Sequence, residues 1–356
     1  MAKKSVVDEG SLTDAQFVRR VLLLAVVAGL CIVLWALSEI LLLIFAAVLL
    51  AVLLRAIVAI LVLHIRANER WSLFIAAAVV FGLLSLTVFL FGSHIWAQLG
   101  SLATQLRSVD ATLTGYLGQQ SIKDLFGGNS VAALFARALS WGTTAITAAA
   151  GLMMAIIAGI YMAINPAVYR EGFVKLFPIE WHDRISATLD DSGSALRLWL
   201  GAQLMAMIIV GVLLGLGALL LGIPSPLALG LIFGLSEFVP VVGPIVAAVP
   251  ILLVALGQGW DVTLWALALV IVIQQLESNV IMPLVAGHAV QLPPAVGLFA
   301  IVALGVLFGP LGLVLGYPIA VVGDVAVRRL YVREALGEEV EIVAEKSRSA
   351  ERTTHT

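Results

Sequence analysis

Long apolar runs, separated by brief charged or proline-marked punctuation, set the pattern of this chain. A helix crossing a hydrocarbon core of about 30 Å needs about 20 apolar residues. Runs of that kind are Val21 to Leu37, Ile40 to Leu63, Trp71 to Phe91, Thr143 to Ile164, Leu198 to Leu221 and Val262 to Met282. Arg55 interrupts the second run, and Ser38 and Glu39 mark a tight turn before it.

Two further apolar segments, Pro226 to Leu256 and Pro294 to Val327, are broken internally at Gly243-Pro244 and Gly309-Pro310. A helix of about 31 residues would be roughly 46 Å long, too long for one crossing. Each arm alone, at roughly 20–27 Å, is short for a crossing. The economical prediction is a re-entrant hairpin that turns at the Gly-Pro break; two full crossings would return the chain to the same side equally well. Non-helical backbone at membrane depth is tolerated only where protein or a watery cavity surrounds it, and a break frees amides and carbonyls that can hold a solute or an ion. One long span precedes each broken segment, a weak twofold pattern of the kind that points to a transporter's binding site.

The fold class predicted is therefore all-α: a polytopic helical membrane protein of six to eight spans, with two Gly/Pro-broken hairpins and a small external helical segment. That segment carries Ile95, Leu99, Leu102, Leu106, Val109, Leu113 and Tyr116 at alternating spacings of four and three, a heptad stripe. It reads as an intrachain helical hairpin or as a contact between subunits. From Asn165 to Arg197, Tyr169, Phe173, Leu176, Phe177 and Trp181 alternate with charges, as in helices lying at an interface. The domain division is an arm with three spans (1–91), the external segment (92–142), a fourth span with interfacial helices (143–197), a transport core (198–330) and a charged, mobile tail (331–356).

Charge placement orients the chain. With the N-terminus inside, sixteen of the twenty Lys and Arg residues fall in inner segments, and only Arg107, Lys123 and Arg137 outside. The positive-inside rule then puts both termini in the cytoplasm. Composition agrees: 62% of residues are hydrophobic and 12% charged, with a mean hydropathy of +1.10. A soluble domain carries about 25% charged residues. The net charge of -2 argues against a nucleic-acid partner. Cys31 stands alone, so no intrachain disulfide forms.

Ionisable groups inside spans are costly and mostly functional. The densest set is Gln274-Gln275-Leu276-Glu277-Ser278-Asn279, read as coordinating a solute or cation, or as bonding helix to helix. Glu237 precedes the first break and could ligate a cation or exchange a proton; it could also cap the break or pair with Arg55. Gln203, in the fifth span, is the weaker positional counterpart of the Gln274 group. Arg55 reads as snorkelling to the cytoplasmic face, and Asp324 and His288 as solvated. The candidate solute or ion site comprises Gln203, Glu237, Pro240, Gly243, Pro244, Gln274, Gln275, Glu277, Asn279, Gly309 and Pro310, with no catalytic residue, metal or cofactor.

Three stretches, Gly201-Ala202-Gln203, Glu237-Phe238-Val239-Pro240-Val241-Val242-Gly243-Pro244 and Gln274 through Pro283, together with the run from Pro293-Pro294 to Gly309-Pro310-Leu311-Gly312, resemble the autoinducer-2 exporter family. The resemblance covers about Val21 to Arg329 and is most specific from Leu198 onward. It implies export of a small solute from a bacterial cell across its inner membrane, with autoinducer-2 the named case and sodium–proton antiport assigned to other members. It also implies a homo-oligomer, a pentamer, and an elevator-like motion. Arg55-Ala56 departs from the polar residue and proline that many relatives would carry.

A secondary transporter in contact with membrane lipid is the leading reading, its ion gradient acting through Glu237 or Glu277. No G-x-x-x-x-G-K-[ST] loop occurs, so ATP is not the direct energy source. A membrane enzyme is disfavoured: neither H-E-x-x-H nor G-x-S-x-G occurs, and the five histidines are scattered. A non-transporting scaffold is the remaining class.

Overall fold

A computed structural model describes residues 14–65, 68–90, 151–286 and 292–337. These are helical, and no strand occurs among the described residues. The heptad stripe, His288 and most of the tail lie outside them. The chain divides into two compact units, residues 1–42 and 43–356.

Unit one holds α1 (Asp14–Ala36) and the start of α2 (Ser38–Ile65). The tight turn expected at Ser38-Glu39 is not formed. Leu37 donates to the Val33 carbonyl at 2.9 Å and accepts from Leu41 at 2.9 Å, so helical hydrogen bonds run on both sides of a one-residue irregularity. Ser38 and Glu39 have no Gly or Pro beside them to halt the ladder.

Unit two continues with the rest of α2, then α3 (Glu69–Leu90), α4 (described from Gly151 to Ile164) and α5 (Pro166–Val174). Leu54, Val58, Ala76 and Ala163 form a small core between α2, α3 and α4. α4 and α5 meet at 94°. Pro166 at the first position of α5 explains the elbow: it lacks an N–H, and it biases Asn165 out of the helical region. The carbonyls freed at the end of α4 are taken by Arg55, whose Nε donates to Ala163 O at 2.7 Å and Nη2 to Ile164 O at 3.3 Å. Arg55 thus caps a helix C-terminus, where a cation is favoured.

Beyond the short turn at Ile179–Trp181, α6 (His182–Leu220) runs 39 residues without a break, roughly 58 Å. It passes through the 197–198 boundary proposed from the sequence. Its charged first half is tied to neighbouring elements: Arg170 donates to Asp190 at 2.6 Å, Arg184 to Glu334 at 2.7 Å, and buried Asp191 pairs with Arg329. Its apolar half is the spine of the main core, in which Val210, Leu214, Phe233, Ile251 and Ala266 come together.

Both broken segments are helical hairpins. The first is α7 (Pro226–Ser236) and α8 (Val242–Leu256), 11 and 15 residues. At 1.5 Å per residue, neither arm spans a core of about 30 Å. Their outer ends meet: Gln258, just past α8, donates to the carbonyl of Gly222, just before α7, at 3.2 Å. After α9 (Trp260–Leu276), a π-helical turn (Glu277–Ile281) and α10 (Met282–Ala286), α11 (Pro294–Ala326) forms the second hairpin. Gly309, at φ 67 and ψ -149, turns the chain back. A methyl group on Gly305 would stand 3.3 Å from Leu313 Cβ, and one on Gly316 would stand 2.7 Å from Ile301 Cα. Those pairings place the arms antiparallel about Gly309.

Among the described residues, five helices could cross a membrane by length and composition, or six with the bent α4–α5 pair. One of the five is Pro294–Arg333, whose length belongs to two antiparallel arms.

Glycines line the seam between α6 and α7. Gly211 and Gly215 on α6 face Gly230 and Gly234 on α7. A methyl on Gly211 would stand 2.8 Å from the Gly230 carbonyl oxygen, and one on Gly234 2.6 Å from that of Met207. Two reciprocal G-x-x-x-G stripes let the backbones approach, the device by which helices associate in lipid without a hydrophobic driving force.

Candidate functional site

The first hairpin breaks at Glu237 to Val241, and the break closes most of its own backbone. Phe238 donates to Leu235 O at 3.2 Å, Val239 to Ser236 O at 3.1 Å, and Gly243 to Val239 O at 2.9 Å. Val242 donates to Pro240 O at 2.8 Å across Val241, which stands at φ 68 and ψ -52. That is a γ-turn of the rare, strained kind, and a β-branched residue occupies its centre. The amides of Val242 and Gly243, which a Gly-Pro break was expected to leave free, are therefore spent inside the turn. Gly243 is needed for close approach: a Cβ there would collide with the Ser236 carbonyl.

The break offers side-chain oxygen instead. Glu237 is 1% exposed and points into the bundle. Gln203, one of the candidates on α6, donates its Nε2 to the Glu237 carbonyl at 2.6 Å. Its own Oε1 is buried and finds no partner among the described residues. Gln274 on α9 donates Nε2 to the Glu237 carboxylate at a long 3.5 Å. Three candidates from three separate elements thus converge. The buried Gly243 and Pro244 and the half-buried Pro240 frame them.

The polar run on α9 does not act as one face. At Glu277–Ile281 the helix widens to a π turn, of a type frequent at functional sites. Ser278 Oγ donates back to Gln274 O at 2.9 Å, and Asn279 Nδ2 to Gln275 O at 2.9 Å. Asn279 also reaches Gln275 Oε1 at 3.2 Å. Gln275 and Asn279 are exposed and occupied with each other, whereas Gln274 and Glu277 are half-buried. Gly309 and Pro310 turn the second hairpin, and no hydrogen bond or ring contact among the described residues carries them to Glu237.

What reaches across is aromatic. Trp199, one helical turn before Gln203 and 3% exposed, packs edge-on against Phe238 with centroids 5.7 Å apart. It also stacks on Tyr317 of the second hairpin at 5.5 Å. The sequence reading named none of these three in this role, because an aromatic ring in a chain this apolar carries no special signal. Asp324, read as solvated, is half-buried and accepts from Arg328 at 2.8 Å. Arg55 pairs with α4 carbonyls as described.

The model of a family described as AI-2E family transporter matches residues 23–331. The chain belongs to the AI-2E transporter family. YrrI of Bacillus subtilis, named as a candidate transport protein, is 33% identical over 158 residues, 44% of this chain and 45% of YrrI. MT0215 of Mycobacterium tuberculosis, named likewise, is 29% identical over 193 residues, 53% of this chain and 52% of that one. A Thermotoga maritima relative is 25% identical over 227 residues, 63% of this chain and 68% of its own. The matched stretches thus span about half the length of the first two relatives. The family is described as one of transporters, and the apolar helices found here suit a multi-pass membrane protein.

Proposed function

We propose that this AI-2E family member is a secondary transporter that exports a small polar solute, autoinducer-2-like, across a bacterial inner membrane. The observation that carries the reading is the convergence of Gln203, Glu237 and Gln274 on the first break. The Glu237 carboxylate and the unpartnered Gln203 Oε1 are acceptors sealed among apolar helices. A buried acceptor left unmatched costs about 1–3 kcal/mol, so the cluster favours an occupant that donates hydrogen bonds or carries positive charge. A hydroxylated solute or a small cation does so.

In this reading both hairpins re-enter the bilayer, both termini are cytoplasmic, and an ion gradient acts through Glu237 or Glu277 as the hairpins shift in an elevator-like motion. The assembly is a homo-oligomer, a pentamer by family resemblance. A second reading, a sodium–proton antiporter of the same fold, draws on the same carboxylates without an organic solute. The test is flux in proteoliposomes under an imposed sodium or proton gradient. Glu237→Gln keeps the shape and the Gln274 contact but cannot carry charge, so gradient-driven flux should be lost in a protein that still assembles. Flux of protons against sodium without solute selects the antiporter. Wild-type vesicles that move neither would leave only a scaffold.

A further inference from the structure

Hairpin one and hairpin two are both bound to α6, and Trp199 is where ring contacts from the two meet. On one side it packs against Phe238, the residue after Glu237, with its plane at 70° to that ring. On the other it lies nearly flat on Tyr317, with 22° between planes. Offset stacks and edge-to-face contacts at these separations are the favoured aromatic geometries. Tyr317 is itself held in place. A methyl on Gly297, in the opposite arm, would stand 2.5 Å from a ring carbon of Tyr317, so the ring lies over the space that this glycine leaves. One rigid line therefore runs from the Glu237 break, through Trp199, to both arms of the second hairpin. Leu196 and Leu200, each nearly fully buried, flank Trp199 on α6. An indole has only two side-chain torsions, and contact with two rings restricts them.

We propose that Trp199 is a positioning residue that couples the two hairpins, so that displacement of the Glu237 break is transmitted to the second hairpin. The inference rests on the transport reading only for its consequence; the coupling itself is a property of the fold. Elements that move as a unit during transport are held by contacts between them, and packed side chains are one carrier of such coupling. Gln203, one turn further along α6, holds the same break by its carbonyl, so ring and amide fix it at two points.

The test measures spacing directly. Val246 on α8 and Val306 on α11 are exposed, 63% and 81%, so they can carry spin labels after Cys31→Ser removes the native thiol. In full-length protein reconstituted with an excess of unlabelled chains, the wild type should give one narrow distance distribution between the labels. Trp199→Leu should broaden it and lower solute flux about tenfold, since small misplacements of a binding group are costly. Trp199→Phe, which keeps a ring, should restore both. Phe238→Leu and Tyr317→Leu should each broaden the distribution alone yet add nothing to Trp199→Leu, because the three act as one line. These single-contact variants also carry the test should Trp199→Leu fail to assemble. A distribution left narrow by Trp199→Leu, or broadening that sums across the variants, overturns the coupling. The distance readout needs no flux, so failure of the transport reading would show separately, as wild-type vesicles that move no solute.

Discussion

Gln203 on α6 donates its side-chain amide to the backbone carbonyl of Glu237 at 2.6 Å, joining residues 34 positions apart at the break of the first hairpin. That bond supplies a donor to a carbonyl that the interrupted helix cannot satisfy. Gln203→Leu should therefore lower stability by about 1–3 kcal/mol, the cost of a buried acceptor left unmade. Thermal unfolding in detergent checks it; an unchanged transition would mean the carbonyl has another partner.

Glycines on α6 should respond in opposite directions. A methyl on Gly201 meets nothing within 4 Å, whereas one on Gly211 meets the Gly230 carbonyl oxygen at 2.8 Å. Gly201→Ala should stabilise by up to about 1 kcal/mol through helix propensity. Gly211→Ala should destabilise by roughly 1–3 kcal/mol through overpacking. Equal shifts from the two would refute the close α6–α7 seam.

The turning residues of the hairpins make a second contrasting pair. Val241 sits at φ 68 and Gly309 at φ 67. Backbone strain at such positions costs of order 1–3 kcal/mol. Val241→Gly should relieve that strain, offset by about 0.5–1 kcal/mol of added chain entropy in the unfolded state, leaving stability equal or improved. Gly309→Ala, in a conformation that only glycine adopts readily, should weaken the fold. Chemical unfolding of the two variants side by side decides it, and a marked loss in Val241→Gly would contradict the γ-turn.

Arg55 should govern the elbow between α4 and α5. Its guanidinium holds the carbonyls of Ala163 and Ile164. Arg55→Leu should cost about 2 kcal/mol or more, because bonds to a charged donor are among the stronger ones. Trypsin should then cut faster at Arg170 and Lys175, which follow the elbow. Cleavage at the wild-type rate would show that Pro166 alone sets the bend.

Several of these relationships were readable along the chain. Two hairpins follow from Gly-Pro breaks in segments too long for one crossing and too short for two. The G-x-x-x-G stripes of Gly211, Gly215, Gly230 and Gly234 are equally present as a pattern in the sequence. The polar run of α9 was legible as a concentration of polar residues but not in its division between buried and exposed sides. A 3.6-residue wheel puts Asn279 beside Gln275, four residues earlier, and away from Gln274, and the fold pairs Asn279 with Gln275 accordingly. Free amides at the first break were a reasonable expectation that failed locally, since the γ-turn at Val241 consumes the Val242 donor.

Apolar length, proline and glycine placement and the asymmetry of Arg and Lys are one-dimensional quantities, and the solvent acts on them segment by segment. For that reason the sequence by itself determined that this is a helical, multi-pass chain with two interrupted helices. Which polar groups meet is a three-dimensional outcome. Gln203, Glu237 and Gln274 come from three elements, and Trp199 finds Phe238 and Tyr317 only because glycine seams draw α6 and α7 together while Gly309 folds α11 back on itself. Local pattern carries no information about such distances. They are decided by how closely backbones pack and by where each carbonyl freed at a break finds its donor.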